Sequence, residues 1–297
     1  MKKYTYFLLF SILLFAACSG KKDDFSNPEE LIVSLSITED YDKTAGKMEA
    51  FQEYLSETLD MPVKLFKVSN GTAVIEAVKA EKTHIGSVGG FSYIVAKSKV
   101  DIDPLVTTEA VSKDIKHKYW SNLIVPKNSP LNTIDDLKEK VSELSMAWSY
   151  PTSTSGHLVP RGYLKSIGIL PEHFKEVMVS ENHVASIYSC IHEKVDVAAV
   201  SNVTLREYTK RGKVTEDDYK IIWSSDPIQR GAIFVSNKVN TELKDKIRNA
   251  FTQMHLVSPE SAKKIHYQYP YAIKYIAVDD TDFDQLRTIA YEIGLIE

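Results

Sequence analysis

"PVKLFKVSNGTAVIEAVKAEKTHIGSVGG", Pro62 to Gly90, holds a strand, a helix and a second strand in one short run. Apolar residues crowd "PVKLFKV" (62–68), take helical spacing in "GTAVIEAVKAEK" (71–82), and crowd again in "HIGSV" (84–88) before Gly89 and Gly90. Two strands joined through a helix pair in parallel, because an antiparallel pair needs only a tight turn. Upstream, "LIVSLSI" (31–37) reads as another strand. Met48, Phe51, Tyr54, Leu55 and Leu59 set a helical stripe between Gly46 and Leu59. The chain therefore opens βαβαβ, which implies parallel strands with helices on both faces of the sheet.

A second series follows. "YWSNLIVP" (119–126), "LSMAWS" (144–149), "EVMVS" (176–180) and "VDVAAVS" (195–201) read as strands. Helices open at Asn132–Thr133, after Ser153 and near His183. "YKIIWSS" (219–225) and "GAIFVSN" (231–237) are further strands, and Asn240–Val257 and Asp280–Ile293 are late helices. Two α/β series suggest two lobes with a cleft between them. Open α/β sheets bind ligands beyond the carboxyl ends of their strands. Small or polar residues sit at three such ends: Ser36 to Thr38, Gly89-Gly90-Phe91-Ser92, and Thr152 to Gly156.

The third junction lies in "WSYPTSTSGHLVPRGYL" (148–164) and carries three hydroxyls and a glycine: Ser153, Thr154, Ser155 and Gly156. With Ser153 near the N-cap, the first backbone N–H groups of the helix have no partner inside it, and the macrodipole adds positive character. Hydroxyls from residues 153–155 supply further donors, and Gly156 lets a ligand come close to the backbone. Each hydrogen bond to an anion contributes about 1.5–3 kcal/mol. On spacing alone, a plain N-cap with solvated serines serves this stretch as well as an anion cradle. Pro160 cannot donate to the Gly156 carbonyl, so the helix must kink or restart there. Catalytic patterns are missing: the chain has no G-x-S-x-G elbow, no H-E-x-x-H and no C-x-x-C. The residues point away from an enzyme, a metal site or a cofactor.

The N-terminus carries a different message. Lys2 and Lys3 precede "FLLFSILLFAA" (7–17), an apolar run too short to span a bilayer and read as an export signal, residues 1–17. Cys18 after Ala16-Ala17 resembles the lipobox of bacterial lipoproteins, in which the cysteine is lipidated and becomes the mature N-terminus; ordinary secretion is the alternative. Residues 18–28 then form a polar tether, and Lys22-Asp23-Asp24 resembles a signal for surface export. Loss of Lys2 and Lys3 takes the formal charge from −4 to −6. An acidic chain without a basic run is a poor nucleic-acid binder. Cys190 has no partner once Cys18 is lipidated, so no disulfide framework exists.

The chain resembles the substrate-binding lipoproteins of phosphate, phosphite and phosphonate ABC transporters over nearly all of residues 30–280. "PTSTSGHLVPRGYL" (151–164) matches the family's P-x-S-T-S-G-x-L-V-P-x-x-x-L. "THIGSVGGFSYIVA" (83–96), "YWSNLIVPKNSPLNTIDDLK" (119–138) and "ENHVASIYSCIHEKVDVAAV" (181–200) match further segments in the same order. The resemblance implies an α/β, two-lobed periplasmic-binding-protein clamshell, each lobe a mostly parallel sheet flanked by helices. Lobe one would take residues 29–118 plus 226–297 and lobe two 119–225. It implies phosphonyl oxygens held by Ser153, Thr154 and Ser155 and by His183, which without the resemblance reads as a surface histidine. Tyr119 matches an aromatic position near the hinge. Thr38, Gly90 and Phe91 are further candidates.

Two departures from the family matter: some relatives carry a bulky aromatic against the ligand where Val88-Gly89-Gly90-Phe91 stands here, and the other follows the V-D-x-A-x-V strand. Many relatives carry a carboxylate just after the V-D-x-A-x-V strand, whereas Ser201, Asn202 and Val203 stand here. Neutral groups there suit a fully ionised oxyanion better than a zwitterionic aminoalkylphosphonate. The implied partners are a small anionic ligand (phosphate, phosphite or phosphonate), ABC permease subunits, and the membrane through the lipid anchor. The implied protein is a monomer on the periplasmic side of the envelope or at the cell surface. A sensory or surface interaction lipoprotein with no transport role is the alternative from another class.

Overall fold

The computed structural model describes residues 24–36, 41–110, 119–265 and 273–297. Cys18, the export signal and Thr38 lie outside these described residues. The chain begins with β1 (Leu31–Ser36), α1 (Tyr41–Leu59), β2 (Val63–Val68), α2 (Gly71–Lys79), β3 (Ile85–Val88), α3 (Gly90–Lys97) and β4 (Ile102–Ala110). It continues with β5 (Ser121–Pro126), α4 (Ile134–Lys140), β6 (Ser145–Trp148), α5 (Val159–Ser166), β7 (Glu176–Val179), α6 (His183–Ile191), β8 (Val197–Ser201), α7 (Asn202–Lys210) and β9 (Tyr219–Ser224). It closes with β10 (Ala232–Ser236), α8 (Thr241–Val257), α9 (Pro259–Ile265), β11 (Ile273–Ala277) and α10 (Asp284–Glu292).

These strands form two sheets, ordered β11-β4-β10-β3-β1-β2 and β7-β6-β8-β5-β9. Each sheet contains a parallel trio, β2-β1-β3 in one and β7-β6-β8 in the other. The remaining ladders are antiparallel. The mostly parallel expectation therefore holds for strand direction: β1 to β4 run one way in the first sheet, and β6 to β9 in the second. Pairing is mixed, because β10 and β5 are inserted in reverse beside β3 and β8. Strands β5 and β8 are buried at every position, as a sheet covered by helices on both faces requires.

The chain passes from the first sheet to the second between β4 and β5, and returns between β9 and β10. The two passages touch: the Ile228 N–H donates to the Tyr119 carbonyl at 2.7 Å, and the Ser225 N–H to Ser121 at 2.9 Å. Gly231 ends the return. A Cβ there would lie 1.8 Å from the Val88 carbonyl oxygen, so the close approach to β3 requires glycine.

Helix starts follow ordinary capping chemistry. Thr133 and Asp136 form a reciprocal capping box on α4, and Asn70, Asn182 and Ser201 accept backbone N–H groups at the starts of α2, α6 and α7. The core is divided by the sheets, though not completely. Leu158 and Val159, just before and at the start of α5, belong to the apolar cluster of Val74, Phe91 and Phe234 from the first-sheet side. Helix α10 packs against both α3 and α5. The two sheet units thus bury apolar surface against each other beside the strand ends that carry the polar residues.

Candidate ligand-binding site

The polar residues gather where β6 ends. After Trp148 the backbone turns, and the Ser153 N–H donates to the Tyr150 carbonyl at 2.8 Å. Ser153 is the N-cap of the following helix (φ −69°, ψ 131°), and its Oγ accepts the Gly156 N–H at 3.0 Å. The first turn, Thr154–Leu158, is π-helical: the Leu158 N–H reaches the Ser153 carbonyl at 3.0 Å, and the Val159 N–H reaches that of Thr154.

Pro160 accounts for this geometry. It has no N–H, so the carbonyls of Ser155 and Gly156 cannot be served from within the helix at that point. Both are served from outside. The Ser121 hydroxyl donates to the Ser155 carbonyl at 2.5 Å, and the Ser149 N–H to the Gly156 carbonyl at 2.8 Å. The restart at Pro160 expected from sequence is therefore a π-turn that passes into α5.

Four further helix starts adjoin this one. His183, at the start of α6, places its Nε2 3.3 Å from Ser153 Oγ. Its Nδ1 accepts the Ser201 N–H at 3.2 Å, at the start of α7. A ring nitrogen that accepts carries no proton, so the hydrogen of the neutral ring sits on Nε2 and points toward Ser153. Burial, with the ring only 8% exposed, pushes the His183 pKa down to about 4, and the ring is neutral at physiological pH. The surface reading of His183 is thereby replaced.

From the first-sheet side, the Phe91 N–H at the start of α3 donates to Thr154 Oγ1 at 2.9 Å. Ser92 Oγ donates to the Thr152 carbonyl at 2.8 Å, and Thr72 Oγ1 lies 3.1 Å from Thr152 Oγ1. Asn70 Nδ2 reaches the Glu181 carbonyl at 3.3 Å. The helix starts of both sheet units thus meet across one seam.

Several sequence candidates take roles different from those expected. Gly156 faces protein: a Cβ there would lie 2.3 Å from Ser149 Cβ and 2.7 Å from His183 Cε1, so this glycine lets the histidine ring come close. The space beside Gly90 is taken by Leu286, 2.5 Å from where its Cβ would sit. The Phe91 ring is packed in the apolar core, and its backbone N–H is the group that faces Thr154. The Tyr119 hydroxyl donates to Ser155 Oγ at 2.8 Å, and burial raises its pKa. Asn202 holds the Trp120 N–H through Oδ1 at 3.0 Å, and Ser201 Oγ accepts the Val203 and Thr204 N–H groups. Thr72, Ser92, Asn70 and Ser149 join the site without having been singled out one by one in the sequence. Only Ser92 lay within a junction already noted.

Charge is nearly absent. Among the described residues, Glu207 is the sole buried carboxylate, and it is ion-paired with Arg211 within α7. No group of His, Cys, Asp and Glu among them could hold a metal ion.

A family model described as the periplasmic substrate-binding protein of phosphonate ABC transporters matches residues 34–283. The chain belongs to this family. Members of the phosphonate-binding family are binding proteins and not enzymes. A probable ABC transporter phosphite binding protein, PhnD1, from Prochlorococcus marinus is 27% identical over 222 residues, 73% of each chain. The phosphonates-binding periplasmic protein of Escherichia coli is 28% identical over 213 residues, 71% of this chain and 62% of that one. The fold matches the solved structure of Prochlorococcus PhnD1 in complex with methylphosphonate, with a TM-score of 0.76 at 22% identity over 91% of this chain and all of that one. It also matches the binding component of a phosphonate transporter from Pseudomonas aeruginosa, with a TM-score of 0.77 at 24% identity over 88% of this chain and 85% of that one. As a phosphonate-family chain it is a periplasmic component of an ABC importer, and no helix among the described residues is long and apolar enough to cross a membrane.

Proposed function

We propose that the protein captures a small phosphorus oxyanion or phosphonate at the start of the helix after Pro151 and delivers it to the permease of an ABC importer. The observation that carries this reading is the run of contacts from the Ser201 N–H through His183 to Ser153 and the Gly156 N–H. It gathers oriented, uncharged donors at one point, which is how a desolvated oxyanion is held without a cation. The ligand's oxygens take the hydroxyls of Ser153, Thr154 and Ser155, the adjacent amides, and His183 Nε2–H. Ser201 and Asn202 complete the second-sheet side.

Lobe one comprises residues 29–118 plus 226–297 and lobe two residues 119–225, and the lobes close over the anion. Phe91 and Thr154 meet where the lobes touch. Cys18 carries the lipid that anchors the monomer to the envelope, with residues 19–28 as a tether. The methylphosphonate and phosphite named for its relatives define the ligand class to test. Titration calorimetry of the purified protein against phosphate, phosphite and methylphosphonate should give a micromolar Kd for at least one, equivalent to about 8 kcal/mol. No heat with any of the three would refute the reading.

A further inference from the structure

Helix α10 is fixed to the first-sheet side. Leu286 fills the space beside Gly90, 2.5 Å from where a Cβ would sit, and α10 packs on α3. Asp280, one turn before the helix, accepts from the Tyr93 hydroxyl of α3 at 2.7 Å and is ion-paired with Arg287 at 3.0 Å. The same helix also touches the second-sheet side. A Cβ on Gly162 of α5 would lie 2.5 Å from Ile289 Cγ2, so the missing side chain lets α10 settle on α5. Lys165, further along α5, donates from Nζ to the Glu292 carbonyl.

Leu286, Ile289, Ala290 and Ile293 stand at helical spacing and form one apolar stripe. Leu286 and Ala290 are buried in the same cluster as Leu158 and Val159, and Ile289 packs against it half-buried. The stripe therefore serves both sheet units at once. Beside it lies a cavity of about 420 Å³, walled by Tyr163, Trp223, Ser225, Ile228 and Gln285. Those walls come from α5, the return passage and α10, so the packing between the two units is interrupted next to the Gly162–Ile289 contact.

We infer that α10 is a clasp between the lobes: Gly162 and Ile289 are a positioning pair that holds the closed arrangement and so sets how long the anion is retained, without touching it. The inference rests on the proposed function, and in particular on lobe closure. At about 1.5 Å of rise per residue, Gly162 lies about 10 Å along the helix from the hydroxyls of residues 153–155. An anion entering between parted lobes meets the hydroxyls of one lobe first, and closure then adds the α5–α10 contact, driven by apolar area removed from water. Weakening that contact lowers the closed population, and with it the apparent affinity. The effect falls on release and leaves capture by the parted lobes as it was.

The test is Ile289→Ala in the full mature protein, titrated with whichever of phosphate, phosphite and methylphosphonate the wild type binds and followed by tryptophan fluorescence in a stopped flow. Binding should weaken about tenfold through faster dissociation, with the association rate kept within about twofold. Small-angle scattering of the unliganded proteins should give the variant the larger radius of gyration, and saturating ligand should bring both to one value. Gly162→Ala should weaken binding too, since its methyl drives Ile289 away, and combining the two changes should recover most of that loss. A merely structural contact would lower the unfolding midpoint and leave dissociation alone; that result, or affinity within about twofold of wild type, overturns the inference while the proposed function stands. If Ile289→Ala does not fold, Lys165→Met at an exposed position removes the tie to Glu292 and should weaken binding about threefold; unchanged affinity there overturns the clasp as well. Absence of wild-type binding to all three anions would overturn the proposed function and the inference with it.

Discussion

The backbone N–H of Phe91 and the side-chain oxygen of Thr154 meet at 2.9 Å, one from each sheet unit, and both residues are buried. This contact joins the start of α3 to the π-turn that follows Ser153. The same threonine hydroxyl accepts from Phe91, and under the proposed function its hydrogen goes to the ligand. Replacing Thr154 by valine keeps the shape, removes the oxygen and strands a buried N–H. Stability should fall by about 1–3 kcal/mol, the cost of an unmet buried donor, and oxyanion affinity by tenfold or more. Urea unfolding and calorimetry on the same preparation measure both, and an unchanged affinity would detach Thr154 from the ligand.

Ser153 and His183 should separate by degree. Ser153→Ala removes both the N-cap of the π-turn and a donor. The cap alone contributes about 1 kcal/mol, so the variant stays folded while affinity drops at least tenfold. His183→Ala removes one donor but leaves the hydroxyls and amides in place, so its loss should be smaller. Circular dichroism establishes that each variant is folded, and titration ranks them. A larger loss for His183→Ala than for Ser153→Ala would reverse the assigned order.

Much of this architecture can be read from the chain because alternating strand and helix periods leave a strong imprint. The βαβαβ opening over 31–88 and the second series over 119–201 appear where their patterns place them. The exceptions have physical causes. Helix α3 is buried from Gly90 to Ala96, so it shows no polar face and no 3.6-residue stripe. Strand β4 contains Pro104, which argues against an interior strand; the proline sits opposite Phe234, where the ladder shifts register. In the site, "STSG" stands out because its donors are consecutive. Thr72 and Ser92 do not, because each is a single polar residue that only tertiary folding brings to Thr152.

Gly156 yields a prediction that the sequence alone would have explained differently. Since its missing side chain makes room for the His183 ring and Ser149, alanine must displace one of them; the nearest atoms would stand 2.3 and 2.7 Å away. Overpacking of this kind typically costs about 1–3 kcal/mol. Gly156→Ala should lower Tm and weaken binding together. Pairing it with His183→Ala should recover stability relative to Gly156→Ala alone, because the second change empties the contested space. No recovery in the double variant would place the strain at Ser149 instead.

Acid should destabilise the fold through two histidines whose protonated forms the native state resists. His183 and His157 are both lowered from 6.5 to about 4, in each case first by burial. Between those values the unfolded chain binds protons that the folded chain does not, so unfolding free energy rises with pH across that window. The stabilisation is complete above pH 6.5 and is lost as pH falls toward 4. Each histidine contributes on the order of 3 kcal/mol over the whole span. Urea titrations at pH 7, 6 and 5 should show the decline. A His183→Asn variant, whose side chain does not titrate, should show a shallower one. If wild type and variant decline in parallel, His183 is not the group that couples protonation to unfolding, and the tautomer held by the Ser201 N–H loses its thermodynamic support.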